Sequence, residues 1–139
     1  MVSNREKAPN IVEIIRQREC RILVIDDDDR FRGSFSFLLE RKFNASVQGV
    51  NSGLAALEKL RSGASYDLIF VDIMMPLMSG IETYKHLREA GTDTKIVFMS
   101  AFADSEEWNR AQGIKGSTTL QKPISESHLL MVLSGSLEE

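Results

Sequence analysis

The sequence predicts one α/β domain in which a parallel sheet is covered by helices on both faces. Three observations lead there. Segments of strand and helix character alternate five times between residues 21 and 133 with short connections, an arrangement that requires parallel strands joined by right-handed crossovers. The strand segments are short apolar runs such as LIFV at 68–71, without the in-and-out alternation of a half-exposed sheet, as burial on both faces demands. Acidic, hydroxyl and amine residues follow directly on several of these runs. They fall at the carboxyl edge of the sheet, where loops diverge and open α/β sheets bind their ligands.

Taken in order, residues 1–9 are polar and aperiodic, which predicts a loose tail. Asn10 can cap a short amphipathic helix with Ile11, Ile14 and Ile15 on one face and Glu13, Arg16 and Arg18 on the other. The extension is therefore set at 1–20 and the domain at 21–137. It reads equally as an end helix laid over the domain and as a linker or dimerisation helix. RILVI (21–25) is the first strand, and 28–43 is a helix in which Phe31, Phe35, Leu38 and Leu39 recur at helical spacing. A strand at 45–50 comes next. Asn51 and Ser52 then supply cap chemistry for a helix with Leu54, Leu57 and Leu60 inward, and Gly63 stands where a left-handed residue ends a helix. The third strand lies in DLIFVDIMMPLMSG (67–80), whose Pro76 and Gly80 turn the chain away from the sheet. A helix from Gly80 to Glu89 stops near Gly91; KIVFMS (95–100) is the fourth strand; 104–111 is helical; TTLQ (118–121) is a short fifth strand; and 124–133 closes as a helix.

Composition narrows the function classes. A chain of 139 residues with ordinary apolar and charged fractions suits one soluble globular domain with a real core. The net charge of -3 and the lack of an Arg- or Lys-rich run argue against direct nucleic-acid binding. Cys20 is the single cysteine, so there is neither an internal disulfide nor a zinc-type ligand set to propose. No apolar stretch has the length of a membrane span and the N-terminus lacks a secretory layout, so the expected location is the cytoplasm.

The chemistry gathers at the strand tips. Asp72 ends the third strand; alone, it reads as well as a cap for the following helix as it does as a functional acid. The first strand ends in DDDD (26–29). Asp26 and Asp27 fall at the same edge as Asp72, while Asp28 and Asp29 suit the cap and first turn of the next helix. Carboxylates brought that close raise one another's pKa unless something compensates, and an all-oxygen cluster suits a hard divalent cation such as Mg2+. Lys122 follows the fifth strand, with Pro123 fixing the turn, and offers a point charge to a phosphoryl group. Ser100 places a hydroxyl at the end of the fourth strand.

With the motifs ILVIDDDD, DLIFVDIMMPLMSG, KIVFMSA and LQKP in place, the chain from about Arg21 to Leu133 resembles the receiver domains of two-component response regulators. The resemblance implies a flavodoxin-like (βα)5 sheet of order 2-1-3-4-5, a fold for which a chemotaxis receiver is a standard example. It implies that Asp72 is the phosphoacceptor, and that Asp27, Asp72 and the backbone carbonyl of Met74 bind Mg2+ (or Mn2+), with Asp26 reaching the ion through a water. Ser100 and Lys122 contact the phosphoryl oxygens, and the Lys122–Pro123 bond is cis. The partners implied are a sensor histidine kinase or histidine phosphotransfer protein and a downstream protein target or output domain outside this chain. The protein is then a monomer or a phosphorylation-dependent dimer, with no membrane and no direct nucleic-acid contact. It is a switch that catalyses its own aspartyl phosphorylation and dephosphorylation, not a turnover enzyme, and its output runs through the face of helix 4, strand 5 and helix 5.

Some positions depart from that pattern. Thr119 stands where receivers commonly carry a Tyr or Phe, so the signal is expected to travel mainly through the fourth helix. Ser100 replaces the more frequent threonine. Trp108 reads either as a partner anchor or as a half-buried core residue, and His86 and His128 read as solvated. The alternative function is a receiver-like interaction scaffold independent of phosphorylation. An aspartate-nucleophile phosphohydrolase is disfavoured, because its general acid would stand two residues past Asp72, where Met74 cannot move protons.

Overall fold

The alternation becomes five parallel strands, β1 (Cys20–Ile25), β2 (Ala45–Val50), β3 (Leu68–Asp72), β4 (Lys95–Ser100) and β5 (Thr118–Gln121), in spatial order β2-β1-β3-β4-β5. Between and after them run α1 (Asp29–Lys42), α2 (Gly53–Arg61), α3 (Gly80–Glu89), α4 (Glu106–Gln112) and α5 (Glu126–Gly135). This computed structural model describes residues 19–135, and the amphipathic helix expected at 10–18 lies outside them. The order matches the flavodoxin-like expectation.

Alternate side chains of the strands supply two cores. On one face Ile22, Val24, Phe70, Val97, Met99 and Leu120 meet Phe35 and Leu39 of α1 and Leu129 of α5. On the other, Leu23, Ile25, Ile69, Val71, Ile96 and Phe98 meet Leu57 of α2, Ile81 and Leu87 of α3, and Trp108 of α4. Each side chain as fully buried as Phe70 or Phe98 contributes on the order of 1.5–3 kcal/mol of transfer free energy. The central β3 is buried at every residue, whereas the edge strand β2 is largely exposed. The residue that ends β3, Asp72, is therefore carried on a strand covered from both faces.

Caps fix where each helix leaves the sheet. Asp28 accepts from the Arg30 and Phe31 amides and starts α1, and Ser52 accepts from the Ala55 amide and starts α2. Gly63 and Gly91, at φ 102° and 99°, supply the left-handed residues after α2 and α3. Leu54 is a correction to the sequence reading: it is 57% exposed. Gly53, Ala56 and Leu57 are the buried positions of α2, which turns Leu54 to solvent. Helix α4 starts at Glu106, not 104, because Ser105 takes the cap and bonds the Trp108 amide. Helix α5 starts at Glu126, not 124, and the Ser125 hydroxyl accepts from the His128 amide. Trp108 is buried among the second core's residues, so the core reading of that residue is the correct one. His86 lies exposed beside Glu89, while His128 is half-buried instead of fully solvated. No helix among the described residues is long and apolar enough to cross a membrane.

Candidate functional site

Because all five strands run parallel, every strand delivers its carboxyl end to the same edge. There the tips of β1 and β3 bring Asp26, Asp27 and Asp72 together, each with a carboxylate oxygen within 4.8 Å of the others. Asp26 is fully buried, Asp72 is 7% exposed, and Asp27 faces solvent. Lys122, 96 positions from Asp26, closes the group: its Nζ lies 2.7 Å from Asp26 Oδ2 and 3.5 Å from Asp72 Oδ2. The Lys122 amide donates to the Ser100 carbonyl at 2.8 Å, which ties the β5 exit to the β4 tip, and the Lys122–Pro123 bond is cis. All the predicted acids and the lysine converge.

Ser100 is also at this edge, fully buried, and its Oγ accepts from the Phe102 amide at 2.9 Å. Accepting one hydrogen bond leaves the hydroxyl proton to be donated elsewhere. Met74 sits exposed on the loop after β3, and its amide donates to Asp72 Oδ1 at 3.3 Å. The competing reading of Asp72 as a helix cap is excluded. Ser79 caps α3 in a capping box with Glu82, whose carboxylate accepts the Ser79 amide at 2.9 Å.

The electrostatics of the pocket are unbalanced. Burial, then the neighbouring Asp26 carboxylate, push the Asp72 carboxyl up from 3.8 to about 6, against the pull of Lys122 and of the Met74 amide. Among the described residues, Lys122 is the one cation within ion-pair distance of these three carboxylates. One ammonium faces three carboxyl groups, an excess of acid over base in the pocket. A hard divalent cation answers that imbalance, and the donor set, all carboxylate oxygen, is of the type that Mg2+ takes. The residues fit such an ion.

Two further contacts support the site. The Arg32 guanidinium donates to the Asp26 carbonyl and to Asp29 Oδ1, both at 2.7 Å, strapping the acidic turn to α1. The Asp29–Arg32 half of that strap has helical i,i+3 spacing and was visible in the sequence. The second is Gly80: a Cβ there would come within 2.7 Å of Ile73 Cα and closer still to the Asp72 carbonyl. Its own amide donates to the Ile73 carbonyl at 2.8 Å.

Comparison with known proteins agrees with this geometry. The family description "Response regulator receiver domain" matches residues 22–134. The chain is 36% identical over 115 residues to the transcriptional regulatory protein ResD of Bacillus subtilis, covering 81% of this chain and 46% of that one. It is 32% identical over 128 residues to two-component response regulator 24 of Arabidopsis thaliana, covering 92% and 88%. The solved receiver domain of the Francisella response regulator 1452 superposes with a TM-score of 0.69 at 30% identity, covering 86% of this chain and 97% of that one. This chain spans about half the length of the bacterial relatives ResD and the CpxR homolog of Haemophilus influenzae. With fold, acidic pocket and sequence in agreement, the chain belongs to the receiver domains of two-component response regulators.

Proposed function

We propose that Asp72 accepts a phosphoryl group from a phosphohistidine on a histidine kinase or phosphotransfer protein, and that the aspartyl phosphate shifts the α4, β5 and α5 face to control a partner. The observation that carries this reading is the meeting of three carboxylates within 4.8 Å, with the Lys122 ammonium 3.5 Å from Asp72. In the transfer, Asp72 Oδ attacks phosphorus as the bond from phosphorus to the histidine ring nitrogen breaks; the ring keeps the electron pair and takes up a proton. Asp27, Asp72 and the Met74 carbonyl would hold Mg2+ or Mn2+, with Asp26 acting through a water. When bound, that cation supplies charge neutralisation at the transferring oxygens. Lys122 supplies the same from the protein side, and a loose phosphoryl-transfer transition state asks for little beyond this and alignment. The cycle closes when water attacks phosphorus and the bond from phosphorus to Asp72 Oδ breaks; inorganic phosphate leaves with the water's oxygen, its protons pass to phosphate and solvent, and the Asp72 carboxylate is restored.

The route of output follows from Ser100. Its hydroxyl holds the Phe102 amide, and the Phe102 carbonyl in turn accepts from the Ser105 amide and hydroxyl at 3.3 and 3.0 Å. Ser105 caps α4. Turning the Ser100 hydroxyl toward a phosphoryl oxygen therefore disturbs the turn from which α4 starts. Thr119, a half-buried strand residue, has no ring to swing. A near-complete reversal of populations needs a preference of about 5.5 kcal/mol for the active arrangement.

Intact-mass measurement after incubation with Mg2+ and a small acyl phosphate tests the reading. One added phosphoryl group is expected on the wild type, and none in the presence of a chelator or on Asp72→Asn. An unlabelled wild type, or an Asp72→Asn that labels equally, overturns it.

A further inference from the structure

Lys122 has a third neighbour besides its two carboxylates. Its Nζ sits over the Phe31 ring, 4.0 Å from the centroid, well inside the range at which an ammonium is drawn to the electron-rich face of an aromatic ring. The contact is sheltered, since the Lys122 side chain is only 15% exposed and Phe31 is half-buried. It is also braced from behind. Phe31 stacks on Phe35 at 5.3 Å, and Phe35 meets Phe70 edge-on at 4.9 Å. Phe70 is fully buried in β3, two residues before Asp72. The backbone of Phe31 is fixed as well, by the Asp28 cap of α1. A row of rings thus runs from the strand that carries Asp72 to the ammonium that must serve it.

We infer that Phe31 is a positioning residue for phosphoryl transfer, its ring face holding the Lys122 ammonium over the acidic pocket. The inference rests on the reading of Lys122 as a phosphoryl-binding group. An ammonium is strongly hydrated and sits on a flexible stem, so charge alone leaves it free to sample water and either carboxylate. With the ring beneath it, the ammonium is held toward the pocket, and the ring does not compete for it as a third carboxylate would. Phe31 works through the lysine.

Two readouts test this. In NMR spectra of the full chain, the ε-methylene protons of Lys122 are expected upfield from ring shielding. They should return toward ordinary lysine values in Phe31→Leu and stay upfield in Phe31→Trp. Unshifted wild-type protons, or no change on Phe31→Leu, overturn the contact whether or not the protein accepts phosphate. The second readout is the rate of Asp72 labelling by an acyl phosphate with Mg2+. Phe31→Leu is expected to slow it by roughly tenfold, with Phe31→Trp restoring most of the loss. In a Lys122→Ala background, Phe31→Leu should change the residual rate less than about twofold, since the two act as one unit. An equal loss in both backgrounds marks Phe31 as packing only. An unlabelled wild type with shielded Lys122 protons sinks the phosphoryl-transfer reading and leaves the contact standing.

Discussion

At Asp72 burial sets the sign of the pH dependence. A carboxyl raised from 3.8 to about 6 is protonated in the folded chain where the unfolded chain has already ionised. The folded state therefore binds more protons between those values, and stability falls as pH rises through that window. Above pH 6 the metal-free fold carries the full deficit, about 3 kcal/mol for a shift of about two units. Asp72→Asn removes the charge and keeps an acceptor for the Met74 amide. In chelator at pH 7.5 it is expected to be more stable than wild type by about 1–3 kcal/mol, with the gain gone near pH 4. Adding Mg2+ should narrow or reverse the gap, because the cation stabilises the ionised wild type more. Urea unfolding at several pH values checks this; parallel profiles for the two proteins would contradict it.

Among the elements, the junction of β3 and α3 holds the site most tightly. Helix α3 leaves its capping box at Ser79, and Gly80 passes so close to the Asp72 carbonyl and Ile73 Cα that no side chain fits between. The atoms that a Cβ there would meet are backbone, which cannot move aside as a flexible side chain can. Gly80→Ala is expected to destabilise the fold by about 1–3 kcal/mol and to slow Asp72 labelling beyond what the stability loss explains, because the displaced backbone is that of Asp72 itself. Denaturant midpoints and labelling rates on the same preparation separate the two effects. The strands were legible because uninterrupted apolar runs at LIFV and KIVFM admit few other readings. The Ser79 and Glu82 capping box is also written in the sequence as S-x-x-E, a signal that assigns the cap of α3 to Ser79 and not to Asp72. Leu54 was misplaced because a nine-residue helix with apolar residues on several sides does not fix its own phase. The ring under Lys122 could not be read at all. Residues 31 and 122 carry no local signal of each other, and only the packing of α1 beside the β5 exit brings them together.

On the scale of the whole molecule, the parallel sheet is what makes a site from distant residues. A doubly wound sheet sends Asp26, Asp27, Asp72, Ser100 and Lys122 to one edge and leaves the helices to cover both faces. The acids and lysine were therefore predictable as a set from their places after the strands, although their distances were not. On the proposed function the same topology separates input from output: Asp72 lies at the end of the central β3, while the hydrogen bonds from Ser100 through Phe102 and Ser105 lead to α4. The most direct measurement maps the labelled residue. Protein treated with Mg2+ and an acyl phosphate is reduced with borohydride, which converts an aspartyl phosphate to the corresponding alcohol, and its peptides are sequenced by mass spectrometry. Reduction at Asp72 alone is the predicted result; label on Asp26, Asp27 or Ser100, or no reduced residue in a protein that has gained mass, would contradict the account.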